Sequence, residues 1–209
     1  MAAPTNHAPR TRNARGDGGR LGDEIVAAAT RLLERLPEGS ITLRAIAREA
    51  GITAPSIYRH FDSVGAILRA VIEVTFADLE VVLREPPPHG NAAERLEATC
   101  HRYLLFAQEH PEQYRLLFGG AWNASALPSE EAAERAERAE IGQDAFRVLV
   151  GRLDECITEG MSLSENSFAD SAALWVGLHG LASLRRTAPL FPWPSELEHE
   201  LIRSLARLE

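Results

Sequence analysis

The chain of 209 residues contains no lysine: all 22 of its basic side chains are arginine. So uniform a preference reads more simply as compositional bias than as a device for phosphate recognition. Cysteine is nearly as scarce. Cys100 and Cys156 make one pair at most, which argues against a secreted disulfide scaffold and fits a reducing compartment. Two cysteines also build no zinc motif. No stretch reaches about 18 uninterrupted apolar residues, and the segment through Arg20, rich in Gly, Pro, Asn and Arg, lacks the apolar run of a signal peptide. A soluble cytoplasmic protein without a membrane partner is expected. There is no Gly-rich phosphate loop, no nucleophile elbow, no His-Glu-x-x-His and no Cys-His metal spacing. Paired carboxylates such as Asp154-Glu155 lie in a charged helical stretch where solvation explains them. The expectation is a non-enzyme with no catalytic residue, no metal and no cofactor.

What is present is unevenly distributed. The net charge is -8, yet residues 1–60 carry nine arginines against six acids, a balance of +3, leaving -11 for the remainder. A mildly basic head on an acidic body suggests that the head alone meets a polyanion. A chain of this length buries roughly 70% of its unfolded surface and needs no disulfide or metal to fold.

Apolar periodicity predicts helices throughout, with no alternating strand pattern, so the fold class is all-α. A first helix carries Ile25, Ala29, Leu32, Leu33 and Leu36 and stops at Pro37 and Gly39. Thr42 caps a short helix with Leu43, Ile46 and Ala47 that ends at Gly51, where positive φ permits a sharp turn. Thr53 caps another short helix, with Pro55 in its first turn and Ile57 and Phe61 inward. A longer stripe runs from Ile67 to Leu83 and ends before Pro86-Pro87-Pro88. Beyond it, Asn91 with Glu94 forms a capping box for a helix to about His110, and Pro111 opens a shorter one through Phe118. Residues 119–129 read as a loop. From Glu130 one long or broken helix runs to about Glu159. Two more follow, Ser167 to about Arg186 and one capped by Ser195 with Glu198 that carries Leu197, Leu201, Ile202, Leu205 and Leu208.

The segment from Thr42 to Phe61 is a short helix, a glycine turn and a second short helix, the outline of a helix-turn-helix. Ala47 is small where two helices approach, and Ile46, Ile52 and Ile57 supply inward contacts. Thr53, Ala54, Ser56, Tyr58, Arg59 and His60 are left to point outward, with no acid among them, on a helix slim enough for a major groove.

With its flanking helices, over residues 21–72, this segment resembles the DNA-binding domain of the TetR family of transcriptional regulators. Thr42 and Ala47, Gly51-Ile52-Thr53, Ile57-Tyr58, His60-Phe61 and Leu68 carry the resemblance. It implies that Thr42 touches a phosphate, that Arg44 reaches a base or phosphate, and that Thr53, Ala54, Pro55, Tyr58 and Arg59 face base edges or flanking phosphates. Ser56, Tyr58 and His60 match phosphate-contacting positions. Ala54 and Pro55 offer only apolar contact, to a thymine methyl for instance, so hydrogen-bonded base reading rests mainly on Arg44. Where the family commonly has a lysine three residues after the Phe61 position, this chain has Val64. A basic arm of Arg10, Arg12, Arg15 and Arg20 is the candidate replacement for that phosphate contact.

The body carries a shorter resemblance to a TetR C-terminal subtype, in His110-Pro111-Glu112-Gln113-Tyr114-Arg115-Leu116-Leu117-Phe118 and in Leu174-Trp175-Val176-Gly177-Leu178-His179-Gly180. It implies a small-molecule pocket. Candidate lining residues are Tyr103, Phe106, Tyr114, Phe118, Trp122, Phe146, Leu149, Leu153, Trp175 and His179. Two helices are candidate homodimer faces: the final one, and that around Trp175, where Ala173, Gly177 and Gly180 permit close approach. The expected organisation is a disordered basic arm (1–19), a three-helix helix-turn-helix DNA-binding domain (20–66), and a helical effector-binding and dimerisation domain (67–209) joined to it by a long helix. The expected function is a repressor that binds a palindromic operator in double-stranded DNA as a dimer and is released by an unidentified, small, largely apolar effector. The alternatives are an activator, or a helical interaction protein that has lost specific DNA binding.

Overall fold

The computed structural model describes residues 18–85, 90–118 and 140–209. Among these residues lie nine α-helices, one turn of 3-10 helix at Glu38–Ser40 and no strand. The chain divides into two compact units, one through Val71 and one from Ile72. The division falls inside a helix, where unbroken periodicity gives the sequence no mark of it.

The first unit holds α1 (Gly18–Leu33), α2 (Leu43–Ala50), α3 (Ala54–Ile57) and the beginning of α4 (Val64–Arg84). Ile25, Leu33, Ile46, Ile57, Ile67 and Val71 are fully buried in it. Two expectations for α1 need correction. Arg20, assigned to the arm, lies within the helix and pairs with Glu24 one turn on, at 3.5 Å. Leu36 lies past the helix end and is exposed, because the chain has already turned toward Pro37. Arg10, Arg12 and Arg15 lie outside the described residues. Arg31 of α1 and Arg35 in the turn after it both donate to Glu49 of α2, at 3.0 and 2.8 Å, fastening two helices that also share buried apolar surface.

The second unit contains the rest of α4, then α5 (Ala92–Glu109), α6 (Pro111–Phe118), α7 (Gln143–Thr158), α8 (Ser167–Thr187) and α9 (Leu197–Leu205). Helix α5 is its axis, packing against α6, α7, α8 and α9. Its start is fixed by the Asn91–Glu94 capping box. Arg95 then bridges to Glu155 of α7 and to Glu159 at its C-cap, at 2.9 and 2.7 Å, while Glu159 also accepts from the backbone N–H of Ala92. The stretch from Glu130 is broken before α7 by Gly142, at φ 84°; its part before residue 140 and the 119–129 loop lie outside the described residues. Helix α8 is capped by Asn166, whose side chain accepts from Ala169. Ser195 does not cap α9: the flanking position is Glu196, without a side-chain bond, and Glu198 instead accepts from Arg185 at 2.9 Å and pairs with His101 Nδ1 at 2.9 Å. The C-terminus is tied back where Ser162 Oγ donates to the Ala206 carbonyl at 2.7 Å.

Candidate nucleic-acid interface and ligand cavity

Thr42 Oγ1 accepts from the Ala45 N–H at 3.2 Å and fixes the start of α2. At its other end Gly51 takes φ 68°. The N–H groups of Gly51 and Ile52 donate to the Arg48 and Ala47 carbonyls, at 3.2 and 2.9 Å, the paired bonds that close a helix through a left-handed residue. The chain then leaves at the angle that starts α3. Thr53 stands at the N-cap position without capping by its side chain; its hydroxyl pairs with Ser56 Oγ at 2.8 Å instead. Helix α3 is a single turn anchored by fully buried Ile57, whose carbonyl accepts from His60 and Phe61.

Of the sequence-selected DNA residues, Thr42, Arg44, Thr53, Pro55, Tyr58 and Arg59 are exposed, Tyr58 at 57%. Ala54, Ser56 and His60 are half-buried rather than outward. Ser56 is turned toward Thr53, and His60 lies beside Gly22 of α1, where a β-carbon would approach its Nδ1 to 3.8 Å. Charge is sorted across the same unit. Glu49 is consumed by Arg31 and Arg35, whose hydrogen bonds hold its carboxyl below the usual range. Arg44, Arg48 and Arg59 are exposed with no acid within ion-pair reach among the described residues. Three arginines and one tyrosine therefore sit around the α2–α3 turn with donors unspent, an arrangement suited to phosphate oxygens and base edges. Val64 is the first residue of α4 and half-buried; Ser63 Oγ, accepting from Ala66, caps that helix.

The second unit encloses a cavity of about 330 Å³, at the small end of ligand pockets. Tyr103, Phe118, Phe146, Leu149 and Trp175 line it, as the sequence selected. Phe106, Leu153 and His179 do not. Phe106 packs on the His110 ring, 4.8 Å between centroids, and Leu153 is fully buried in the core. Tyr114 also lies off the wall, and Trp122 is outside the described residues. The wall includes positions that sequence reasoning missed: Phe76, Leu79 and Leu83 of α4, the Ile141–Gly142–Gln143 turn, and Phe168 of α8. The α4 residues were legible only as a helical stripe, which does not distinguish core from cavity wall.

One polar chain borders the cavity. Trp175 Nε1–H donates to Tyr103 Oη at 3.2 Å, Tyr103 and Tyr114 share a hydroxyl bond of 2.9 Å, and Tyr114 Oη meets His179 Nδ1 at 2.7 Å. Burial pushes the Tyr103 phenol up to about 12 and Tyr114 higher still, and lowers His179, so all three are neutral near pH 7. Cys100, also on the wall, is raised by burial and kept as an unreactive thiol.

Of the two candidate dimer faces, α9 buries Ile202 and lays half-buried Leu201 and Leu205 onto Gly177 of α8. Beside the Gly177 face, part of α8 is exposed. Ala169, Ala173, Val176 and Leu184 are exposed along one helical stripe that also passes Gly180, and beyond it Leu190 and Phe191 are exposed. Among the described residues no helix is long and apolar enough to cross a membrane.

This architecture, a helix-turn-helix unit and a helical body with its own cavity, defines a class of DNA-binding transcriptional regulators. The pattern "Bacterial regulatory proteins, tetR family" matches residues 25–71, and "Tetracyclin repressor-like, C-terminal domain" matches residues 96–208. The chain belongs to the TetR family, whose domains are regulatory rather than enzymatic. It is 31% identical over 103 residues to the nucleoid occlusion factor SlmA of Marinobacter nauticus, covering 47% of this chain and 51% of that protein. The chain thus spans about half the length of the SlmA relatives it matches. It is 26% identical over 169 residues, 79% of this chain and 70% of the relative, to the uncharacterized HTH-type transcriptional regulator Rv0681 of Mycobacterium tuberculosis. The fold is shared with a protein of unknown function from Rhodococcus sp. RHA1 (TM-score 0.74, 23% identity, 96% of this chain and 98% of that one). It is also shared with a tetR-family transcriptional regulator from Streptomyces coelicolor (TM-score 0.65, 20% identity, 90% and 79%).

Proposed function

We propose that this chain is a cytoplasmic repressor that binds a palindromic operator as a homodimer and is released when a small, largely apolar molecule fills the body cavity. The observation that carries the DNA half is the set of unpaired arginines and exposed Tyr58 around the α2–α3 turn, in a unit whose other interhelical arginines are neutralised by Glu49. Thr42, Arg44, Thr53, Pro55, Tyr58 and Arg59 are the contacts, with Ala54, Ser56 and His60 at the margin of the footprint. A helix of this size covers few base pairs, so two copies about 34 to 36 Å apart are needed for a specific site; the exposed stripe of α8 is the proposed dimer face.

Ligand response requires that the effector prefer one conformational state over another, typically by about 1 to 3 kcal/mol. Helix α4 supplies Phe76, Leu79 and Leu83 to the cavity and Ile67 and Val71 to the core of the first unit. A molecule pressing on the wall therefore acts on a helix that continues into the DNA-binding unit. Band-shift titration with the promoter region of its own gene tests the reading: a specific, salt-sensitive complex is expected, and its absence with and without cell extract favours the interaction-protein alternative. The SlmA likeness favours a second reading, DNA binding in service of nucleoid occlusion. Chromosomal occupancy at dispersed sites, with no change in adjacent transcripts on deletion, is the outcome that selects it.

A further inference from the structure

We infer that the cavity reads an uncharged molecule bearing one oxygen function, a carbonyl or a hydroxyl, through Tyr103, and that His179 sets whether Tyr103 donates or accepts. The inference rests on the cavity's being the effector site and names the chemistry it selects.

Apart from Thr99, Cys100 and Gln143, whose Oε1 accepts from Arg147 at 3.1 Å, the wall is aromatic and aliphatic, with no charged side chain among the described residues that line it. A charged ligand would lose its hydration there without a countercharge. Thr99 is on the wall, but its hydroxyl is spent on the Arg95 carbonyl at 3.0 Å. Tyr103 lines the wall and its hydroxyl belongs to an adjustable network.

Proton accounting along that network gives two arrangements that strand no donor off the cavity wall. Trp175 can only donate, so it gives to Tyr103 in both. In the first, His179 Nδ1 carries a lone pair: Tyr114 donates to His179, Tyr103 donates to Tyr114, and Tyr103 keeps one lone pair that accepts from a ligand hydroxyl. In the second, His179 carries its proton on Nδ1: it donates to Tyr114, Tyr114 donates to Tyr103, and both Tyr103 lone pairs are filled. The Tyr103 O–H is then surplus and donates to a ligand oxygen; a ketone, which only accepts, can bond in this arrangement alone, whereas an alcohol can bond in either. The two differ by the tautomer of a neutral imidazole and by two hydroxyl rotations, with every heavy atom in place. His179 is off the cavity wall and is a positioning residue, acting through Tyr114 and Tyr103.

Three naphthalenes of nearly equal shape test this on the full-length protein: 2-acetylnaphthalene, 1-(2-naphthyl)ethanol and 2-isopropenylnaphthalene, which lacks oxygen. Affinities come from calorimetry, with band shift on operator DNA as a separate readout. In the wild type both oxygenated probes bind at least as tightly as the more hydrophobic alkene. Tyr103→Phe weakens both about tenfold, the scale of one lost hydrogen bond, and leaves the alkene within twofold. In His179→Leu, Tyr114 has only Tyr103 to donate to, so the second arrangement is enforced. The ketone-to-alcohol affinity ratio then rises several-fold, whereas a loss of packing alone lowers both alike. The inference is overturned by binding of none of the probes, by equal loss of all three in Tyr103→Phe, or by an unchanged ratio in His179→Leu. Tyr103-dependent binding that leaves the operator complex intact upholds the anchor and removes the effector reading instead.

Discussion

Leu205 of α9 lies over Gly177 of α8: a β-carbon at position 177 would stand 2.6 Å from Leu205 Cδ1 and 3.2 Å from Leu201 Cδ2. One turn on, a β-carbon at Gly180 meets nothing within 4 Å. Two glycines in one motif thus have different causes. Gly177 permits the seating of α9, whereas Gly180 lies along the open stripe.

Gly177→Val should lower unfolding free energy by about 1 to 3 kcal/mol, the range for overpacking. Gly180→Ala should leave stability unchanged or raise it by up to about 1 kcal/mol, since alanine is the better helix former. Chemical denaturation of both variants checks this. Equal destabilisation would show that Gly180 is also pressed by a neighbour.

That pair also shows how far the sequence carries. Helix positions were readable because capping chemistry is local: Thr42, the Asn91–Glu94 box and Gly51 each act within three or four residues. Thr53 stands at the N-cap position as read, but its hydroxyl turns to Ser56, a competing partner that propensity ignores, and Ser195 falls one residue before the cap position of α9. The exposure of Thr53, Pro55, Tyr58 and Arg59 was legible because α3 is anchored by one residue, Ile57. The cavity was half legible. Aromatics announce a ring-lined interior, but which rings border empty space depends on helix packing, and that separated Phe146 and Trp175 from Phe106 and brought in Phe76 and Phe168.

Tyr58 is exposed on a unit whose core does not use it. Tyr58→Ala should weaken operator binding by at least tenfold while thermal stability and dimerisation stay near wild type. Arg44→Ala should lose discrimination at one operator position, measured across a set of single-base variants. A uniform loss for all sequences would assign Arg44 to a phosphate.

The Arg31–Glu49–Arg35 clamp predicts an acid response. Hydrogen bonds from the two arginines lower the Glu49 carboxyl in the folded state, so the folded protein binds the proton more weakly than the unfolded chain. The clamp's contribution is therefore complete above the ordinary carboxylate range and fades as pH falls through the lowered value. Glu49→Gln should reduce Tm at pH 7 in low salt and converge with wild type near pH 3 or in high salt. A gap of constant size from pH 7 to pH 3 would assign its effect to packing.

The α8 stripe supplies the most consequential variant. Val176 is 66% exposed and Leu184 51%, with Gly180 between them on the stripe, so a second copy can approach closely there. Val176→Arg places a charge on that face and touches no core residue. A specific interface must bury roughly 1,200 to 2,000 Å² in total, and a charge desolvated near its centre is costly. Sedimentation should therefore shift from dimer to monomer while helical content and Tm of the folded body are retained. Operator affinity should fall by two orders of magnitude or more, because each half-site is then held by one short helix-turn-helix without the effective concentration supplied by its twin. A Val176→Arg protein that stays dimeric would transfer the interface to another face. One that becomes monomeric yet binds the full operator as wild type does would break the link between pairing and recognition.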